Sequence, residues 1–236
     1  MKEKLRLAIK RSLHSNDLVK LAKIHHTDKW GGHYYARHYQ KHFAAFRKRP
    51  LNLLEIGVGG DEDPRKGGES LRMWQDYFPK GTIYSIDIHE KRLPPEKRIK
   101  IFKGSQDDEP FLKDVFNNAG SLDIIIDDGS HINAHVIKTF KILFPLLNDG
   151  GIYAVEDTQT SYWKKYGGNP DDLKDQATLM NFFKGLVDGL NYMEFPKEGY
   201  RPSYFDTRIT SMHFYHNLII IYKGANNEKS NVTGRV

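Results

Sequence analysis

Apolar positions along the first fifty residues recur at helical spacing. Leu5, Ile9 and Leu13 share one face, and Ser15 or Asn16 can cap a second helix running through Leu18, Leu21, Ala22 and Ile24. Gly31-Gly32 ends that run. A third helical stretch extends from about His33 to Arg47 and stops before Pro50, because a proline disfavours helical backbone in the residue ahead of it. From Leu51 onward the period changes.

Leu51 to Ile56 is a short apolar run, and similar runs recur at Thr82 to Ile88, Ile99 to Phe102, Leu122 to Ile126 and Gly151 to Val155. Each reads as a buried strand. Helical patterns lie between them at Ser70 to Phe78, Glu109 to Asn118 and Asn133 to Leu147. Parallel neighbours need a crossover connection, so this alternation predicts a doubly wound α/β fold. The rhythm then breaks. Thr158 to Pro170, rich in Tyr, Trp, Gly and Lys, reads as a loop, and a helix is expected from about Asp171 to Leu190. Ser211 to Tyr215 and Leu218 to Lys223 flank only His216-Asn217, which predicts an antiparallel hairpin closing a seven-stranded sheet. The expected divisions are a helical cap at 1–50, an α/β domain at 51–224 and a polar tail at 225–236.

Composition narrows the class. With 236 residues, 39% hydrophobic and 28% charged, the chain can bury a real core without staples. The longest apolar run, Leu218 to Tyr222, is far short of the roughly 20 residues that span a bilayer, so no membrane partner is expected. The first residues carry positive charge but no apolar stretch of a secretory signal, and the absence of cysteine excludes disulfides and thiolate metal sites. The expected compartment is the cytoplasm. A net charge of +6 raises nucleic acid as a partner, but the Lys and Arg residues are scattered, with Arg47, Lys48 and Arg49 the densest cluster. Five of the eleven histidines fall between His25 and His42 without zinc-ligand spacing.

Candidate chemistry gathers at the strand ends. Glu55-Ile-Gly-Val-Gly-Gly-Asp61 closes the first strand with glycines that let backbone approach a ligand, although it is not the full dinucleotide fingerprint. Asp87, ending the second strand, can accept hydrogen bonds from both ribose hydroxyls of a nucleoside, and Gly104-Ser-Gln-Asp107 follows the third strand where a loop would border an adenine. Together these features predict an adenosine ligand. The fourth strand ends in Asp127-Asp128-Gly-Ser-His131 and the fifth in Glu156-Asp157. Adjacent parallel strands crowd these carboxylates, and like charges so close call for a cation. An all-oxygen set suits Mg²⁺, with Mn²⁺ or Ca²⁺ as substitutes. His131 is expected at or near the start of the next helix, where the N-terminal dipole disfavours imidazolium and leaves a ring able to take a proton near neutral pH.

At this point the residues match a known family. Thr27-Asp-Lys-Trp-Gly31, LLEIGVGG, GGESLRMWQDYFP, IDDGSHINAH and Val155-Glu-Asp-Thr-Gln-Thr-Ser-Tyr-Trp163, in this order, closely resemble bacterial S-adenosylmethionine-dependent sugar O-methyltransferases of the macrolide (mycinamicin) type. The resemblance covers about residues 22 to 166 and implies a Rossmann-like class I methyltransferase sheet. It also implies that Glu55, Gly57, Gly59 and Asp61 line the methionine and ribose side of the cofactor, with Ser70 assisting. Asp87 then holds the ribose, and Ser105 and Gln106 border the adenine. Asp128, placed beside the cofactor, holds the metal with Glu156 and Asp157, and His131 is the general base. The implied partner is a sugar or glycoside acceptor, and relatives of this type assemble as homo-oligomers.

Other readings carry different consequences. A catechol or other polyhydroxylated acceptor keeps the fold and cofactor. A nucleic-acid-binding module fits the basic charge but not the acidic strand ends, which repel phosphates. A nicotinamide dehydrogenase lacks its glycine fingerprint here.

Overall fold

In the run Leu51–Ile56 every residue but Asn52 is buried, as a strand covered on both faces requires. The structure, a computed structural model, describes residues 2–195 and 199–230; residues 231–236 of the expected tail lie outside these. Seven strands belong to one mixed sheet. The chain forms two compact units, Met1–Gly120 and Ser121–Val236.

In the first unit, β1 (Leu51–Ile56) pairs in parallel with β2 (Gly81–Asp87), which pairs in parallel with β3 (Ile99–Lys103). Three helices precede them: α1 (Lys2–Leu13), α2 (Leu18–His25) and α3 (Ala36–Phe43). α4 (Glu69–Tyr77) follows β1, and α5 (Glu109–Ala119) follows β3. Tyr39 and Phe43 of α3 meet Trp74 of α4 with ring centroids 5.3 and 5.7 Å apart, an edge-on cluster that is fully buried. Two expectations change here. Asp17, not Ser15 or Asn16, caps α2 by accepting from the Lys20 N–H, since the cap must sit directly before the first buried position, Leu18. Leu5, Ile9 and Leu13 do share a face of α1, but they are 62%, 50% and 72% exposed.

In the second unit, β4 (Leu122–Asp127) runs parallel to β5 (Leu147–Glu156). β5 also pairs antiparallel with β7 (Leu218–Lys223), and β7 with β6 (Ile209–Tyr215). The expected hairpin is present, with Asn217 at φ 60° in its turn. β5 begins at Leu147 rather than Gly151 because the register with β4 jumps across a bulge between Leu122 and Ile124. α6 (Asn133–Leu143) packs Phe140 against Phe144, Tyr153 and Phe183 at 4.8 to 5.0 Å. The long helix expected from Asp171 is shorter: α7 spans Leu179–Val187 and passes into a 3₁₀ turn. Residues ahead of it fold back on the side chains of Asn169, Asp172 and Asp175, which capture backbone N–H groups that a helix would have used. A final short helix, α8 (Tyr204–Arg208), opens on a Ser203–Asp206 capping box. Asn226, in the expected tail, is anchored by its side chain to the Asp206 carbonyl at 2.8 Å. Among the described residues, no helix is long and apolar enough to cross a membrane.

Candidate active site

At the end of β1 a carboxylate is held in a dry pocket of donors. Glu55 is fully buried; its Oε2 accepts from Ser70 Oγ at 2.8 Å and from Trp74 Nε1 at 3.1 Å. Lys29 Nζ lies 3.2 Å from Oε1, and both side chains are shut away from solvent. The charge at Glu55 is thus balanced by a lysine from the Thr27–Gly31 segment. That segment carried part of the family resemblance, but sequence reasoning gave Lys29 no role. Trp74, four residues after Ser70 on the same helix face, was missed in the same way.

The turn after β1 needs its glycines. Gly59 and Gly60 have φ of 76° and 75°, and a Cβ on Gly60 would sit 2.4 Å from the Lys66 backbone. Asp61 continues the left-handed run at φ 45° with its side chain exposed. Its backbone is tied to that of Gly59 through Lys91, whose Nζ donates to the Gly59 and Asp61 carbonyls at 2.7 and 2.6 Å. Asp87, at the end of β2, accepts from the Val58 N–H at 3.1 Å and the His89 N–H at 2.8 Å. Its carboxylate is therefore fixed in direction beside the glycine turn. Gly104 N–H donates to the Asp87 carbonyl at 2.9 Å, which brings the loop of Ser105 and Gln106 to the same strand end. Ser105 Oγ is turned onto Asp107, and Gln106 is buried.

The second unit carries the acidic group. Asp128, His131 and Asp157 each present a ligand atom within 4.8 Å of the others, and Asp128 lies within the same distance of Glu156. Glu156 is buried, whereas the other three are half-buried. Behind them Tyr153 donates to Asp127 Oδ2 at 3.4 Å. Burial, with the Asp127 charge beside it, pushes the Tyr153 phenol far above its ordinary range, so that hydroxyl remains a donor.

His131 lies near the start of α6, as expected. α6 begins at Asn133 with Ile132 as its cap residue, so His131 stands outside the helix at φ 56°. Its Nε2 lies 3.5 Å from Asp157 Oδ2. The Asp157 carboxylate therefore faces the ring. Asp157 is itself left-handed, at φ 53°. Two non-glycine residues facing each other in this sparsely populated region store strain that the surrounding loops must hold. The Tyr166 ring meets His131 edge-on with centroids 6.4 Å apart, and Trp163 lies 6.0 Å beyond Tyr166.

Comparison with known proteins places this geometry in context. No family model matches the chain. It is 48% identical over 210 residues to the 8-demethyl-8-alpha-L-rhamnosyl tetracenomycin-C 2'-O-methyltransferase of Streptomyces olivaceus, covering 89% of this chain and 55% of that protein. Identity to the mycinamicin VI 2''-O-methyltransferase of Micromonospora griseorubida is 42% over 214 residues, covering 90% of this chain and 54% of the relative. Among solved structures it superposes on MycE methyltransferase from the mycinamycin biosynthetic pathway, in complex with Mg and SAH, with a TM-score of 0.88 and 41% identity, covering 92% of this chain and 57% of that one. The chain spans about half the length of the curated relatives it matches. Over some nine-tenths of its own length, then, this chain is a relative of the bacterial sugar O-methyltransferases of macrolide and tetracenomycin pathways and has the class I methyltransferase fold.

Proposed function

We propose that the protein is an S-adenosylmethionine- and Mg²⁺-dependent O-methyltransferase that methylates a hydroxyl on the sugar of a glycosylated natural product. The observation that carries this reading is the acidic group itself, in which Asp128 and Asp157 from two loops converge with His131. Its donors suit a hard divalent cation, since the carboxylates of Asp128, Glu156 and Asp157 are all oxygen ligands and no thiolate is present. The relatives support the substrate class, because their names specify rhamnosyl tetracenomycin and mycinamicin VI. MycE, moreover, was solved with Mg, SAH and mycinamycin VI together.

When bound, S-adenosylmethionine would supply an electrophilic methyl group and Mg²⁺ would supply positive charge that makes the acceptor hydroxyl easier to deprotonate. The chain's own residues do the rest. Glu55 and the glycine turn of Gly57, Gly59 and Asp61 hold the methionine and ribose side, with Ser70 fixing Glu55. Asp87 accepts from the ribose hydroxyls, and Ser105 and Gln106 border the adenine. Asp128, Glu156 and Asp157 hold the metal. His131, beside Asp157, takes the acceptor's hydroxyl proton at the ring nitrogen that carries none. Tyr166 and Trp163 offer flat apolar faces beside that proton path. Positioning and electrostatics therefore supply the rate enhancement.

The reading is tested by following methyl transfer to a panel of rhamnosyl and deoxysugar glycosides with catechol as the contrast, before and after EDTA. Transfer to a glycoside that EDTA stops and Mg²⁺ restores is the expected result. Transfer to catechol alone would move the acceptor class, and metal-independent transfer would make the acidic group structural.

A further inference from the structure

We infer that Asn133 is a positioning residue that ties the loop bearing Asp157 and Tyr166 to the loop bearing Asp128 and His131, and so sets the spacing of the metal group. This inference rests on the metal reading above and deepens it. Asn133 opens α6, two residues after His131, and its side chain is 1% exposed. Its amide nitrogen donates to the Thr160 carbonyl at 3.1 Å and to the Tyr166 carbonyl at 2.9 Å. Its amide oxygen accepts from the Leu179 N–H at 2.7 Å. Both donors face carbonyls and the acceptor faces an N–H, so only one orientation of the amide satisfies the site.

None of these bonds serves Asn133's own helix. All three reach the segment that leaves β5 or the helix that follows it. Thr160 is in turn folded back onto Asp157, since its N–H and Oγ1 both donate to the Asp157 carbonyl, at 3.1 and 2.9 Å. Tyr166 bears the ring that meets His131. One buried amide thus grips the Asp157 loop at both ends, at a distance of two residues from the histidine that Asp157 faces. The left-handed backbones of His131 and Asp157 make such a restraint necessary, because each would relax toward ordinary φ if its loop were released.

The shape-matched variant Asn133→Asp keeps the acceptor for Leu179 but loses both donors and sets a carboxylate against two carbonyls. Amide hydrogen exchange, Mn²⁺ titration without other ligands, and S-adenosylmethionine titration are compared in the full chain. The expected result is at least about tenfold faster exchange across residues 158–168 and about fivefold or more weaker Mn²⁺ binding. Exchange in β1 and β2 and affinity for S-adenosylmethionine should stay within about twofold. Unchanged exchange in 158–168 overturns the inference, as does protection lost evenly along the chain, which would mark Asn133 as a packing residue alone. Should the variant not accumulate in folded form, Asn133→Ala removes the amide's donors and its acceptor without adding charge and is read in the same way. If the unmodified protein binds no Mn²⁺, the metal reading fails, and the exchange comparison still decides whether Asn133 joins the two loops.

Discussion

Lys29 and Glu55 form an ion pair 3.2 Å long with both side chains sealed from water. Removing one member leaves a charge in a dry site, which costs about 3 to 5 kcal/mol, whereas removing both costs much less. Lys29→Met should therefore lower the melting temperature by about 6 to 20 °C for a chain of this size. The double variant Lys29→Met with Glu55→Gln should recover part of that loss. Thermal unfolding of the three proteins checks the pairing; equal loss in the single and double variants would mean that the two groups do not depend on each other.

At His131 the measurement is turnover at saturating cofactor, metal and acceptor. Loss of a general base lowers such a rate by about a hundredfold to ten-thousandfold. His131→Ala should fall in that range while S-adenosylmethionine still binds. Near-normal turnover would remove the base role and leave His131 as a partner of Asp157 only.

Asp128→Asn and Asp157→Asn each delete one charged ligand atom from a group gathered within 4.8 Å. Mn²⁺ affinity, read by calorimetry, should fall by more than about tenfold in each. Because like charges in the group repel, the same variants should unfold at a higher temperature than the unmodified chain when no divalent cation is present. Unchanged affinity together with a fall in metal-free stability would mean that the carboxylates hold the fold rather than a metal.

Asp76 joins three helices of the first unit: His25 Nε2 lies 2.7 Å from its carboxylate, and Arg11 donates to it through two nitrogens. Burial favours the neutral acid, but the hydrogen bonds and charges of His25 and Arg11 outweigh it and hold the carboxyl below its ordinary value of 3.8. A carboxyl depressed in the folded state contributes stability at pH above its unfolded value and loses that contribution as pH falls through its folded value. Asp76→Asn should thus be less stable than the unmodified protein near neutrality, and the gap should close in acid below the ordinary value. Urea unfolding at a series of pH values measures it; a constant gap would show that Asp76 acts through packing alone.

Legibility in the sequence followed physical range. The strands β1 to β5 and the closing hairpin were readable because a buried parallel strand is a continuous apolar run and a two-residue turn forces an antiparallel return. The strand ends then brought Asp87, Asp128, His131, Glu156 and Asp157 forward as candidates. What stayed hidden depends on contacts distant in sequence. Nothing local marks Lys29 as the counter-charge of Glu55, because that pairing exists only once the N-terminal segment has folded over β1. Asn133 read as one more residue at a helix start, since its partners lie 27, 33 and 46 residues away. The shortened α7 was misjudged because the side chains of Asn169, Asp172 and Asp175 compete with helix formation through hydrogen bonds that apolar spacing does not report.

The proposed function depends first on binding of S-adenosylmethionine at the ends of β1 and β2. It is tested most directly by calorimetric titration of the purified protein with that cofactor and, separately, with NAD, in the presence of Mg²⁺. Saturable binding of S-adenosylmethionine alone, weakened by Asp87→Asn, is the expected result. Binding of NAD, or of neither ligand, would contradict the claim and leave the glycine turn and Asp87 as structural features of the sheet.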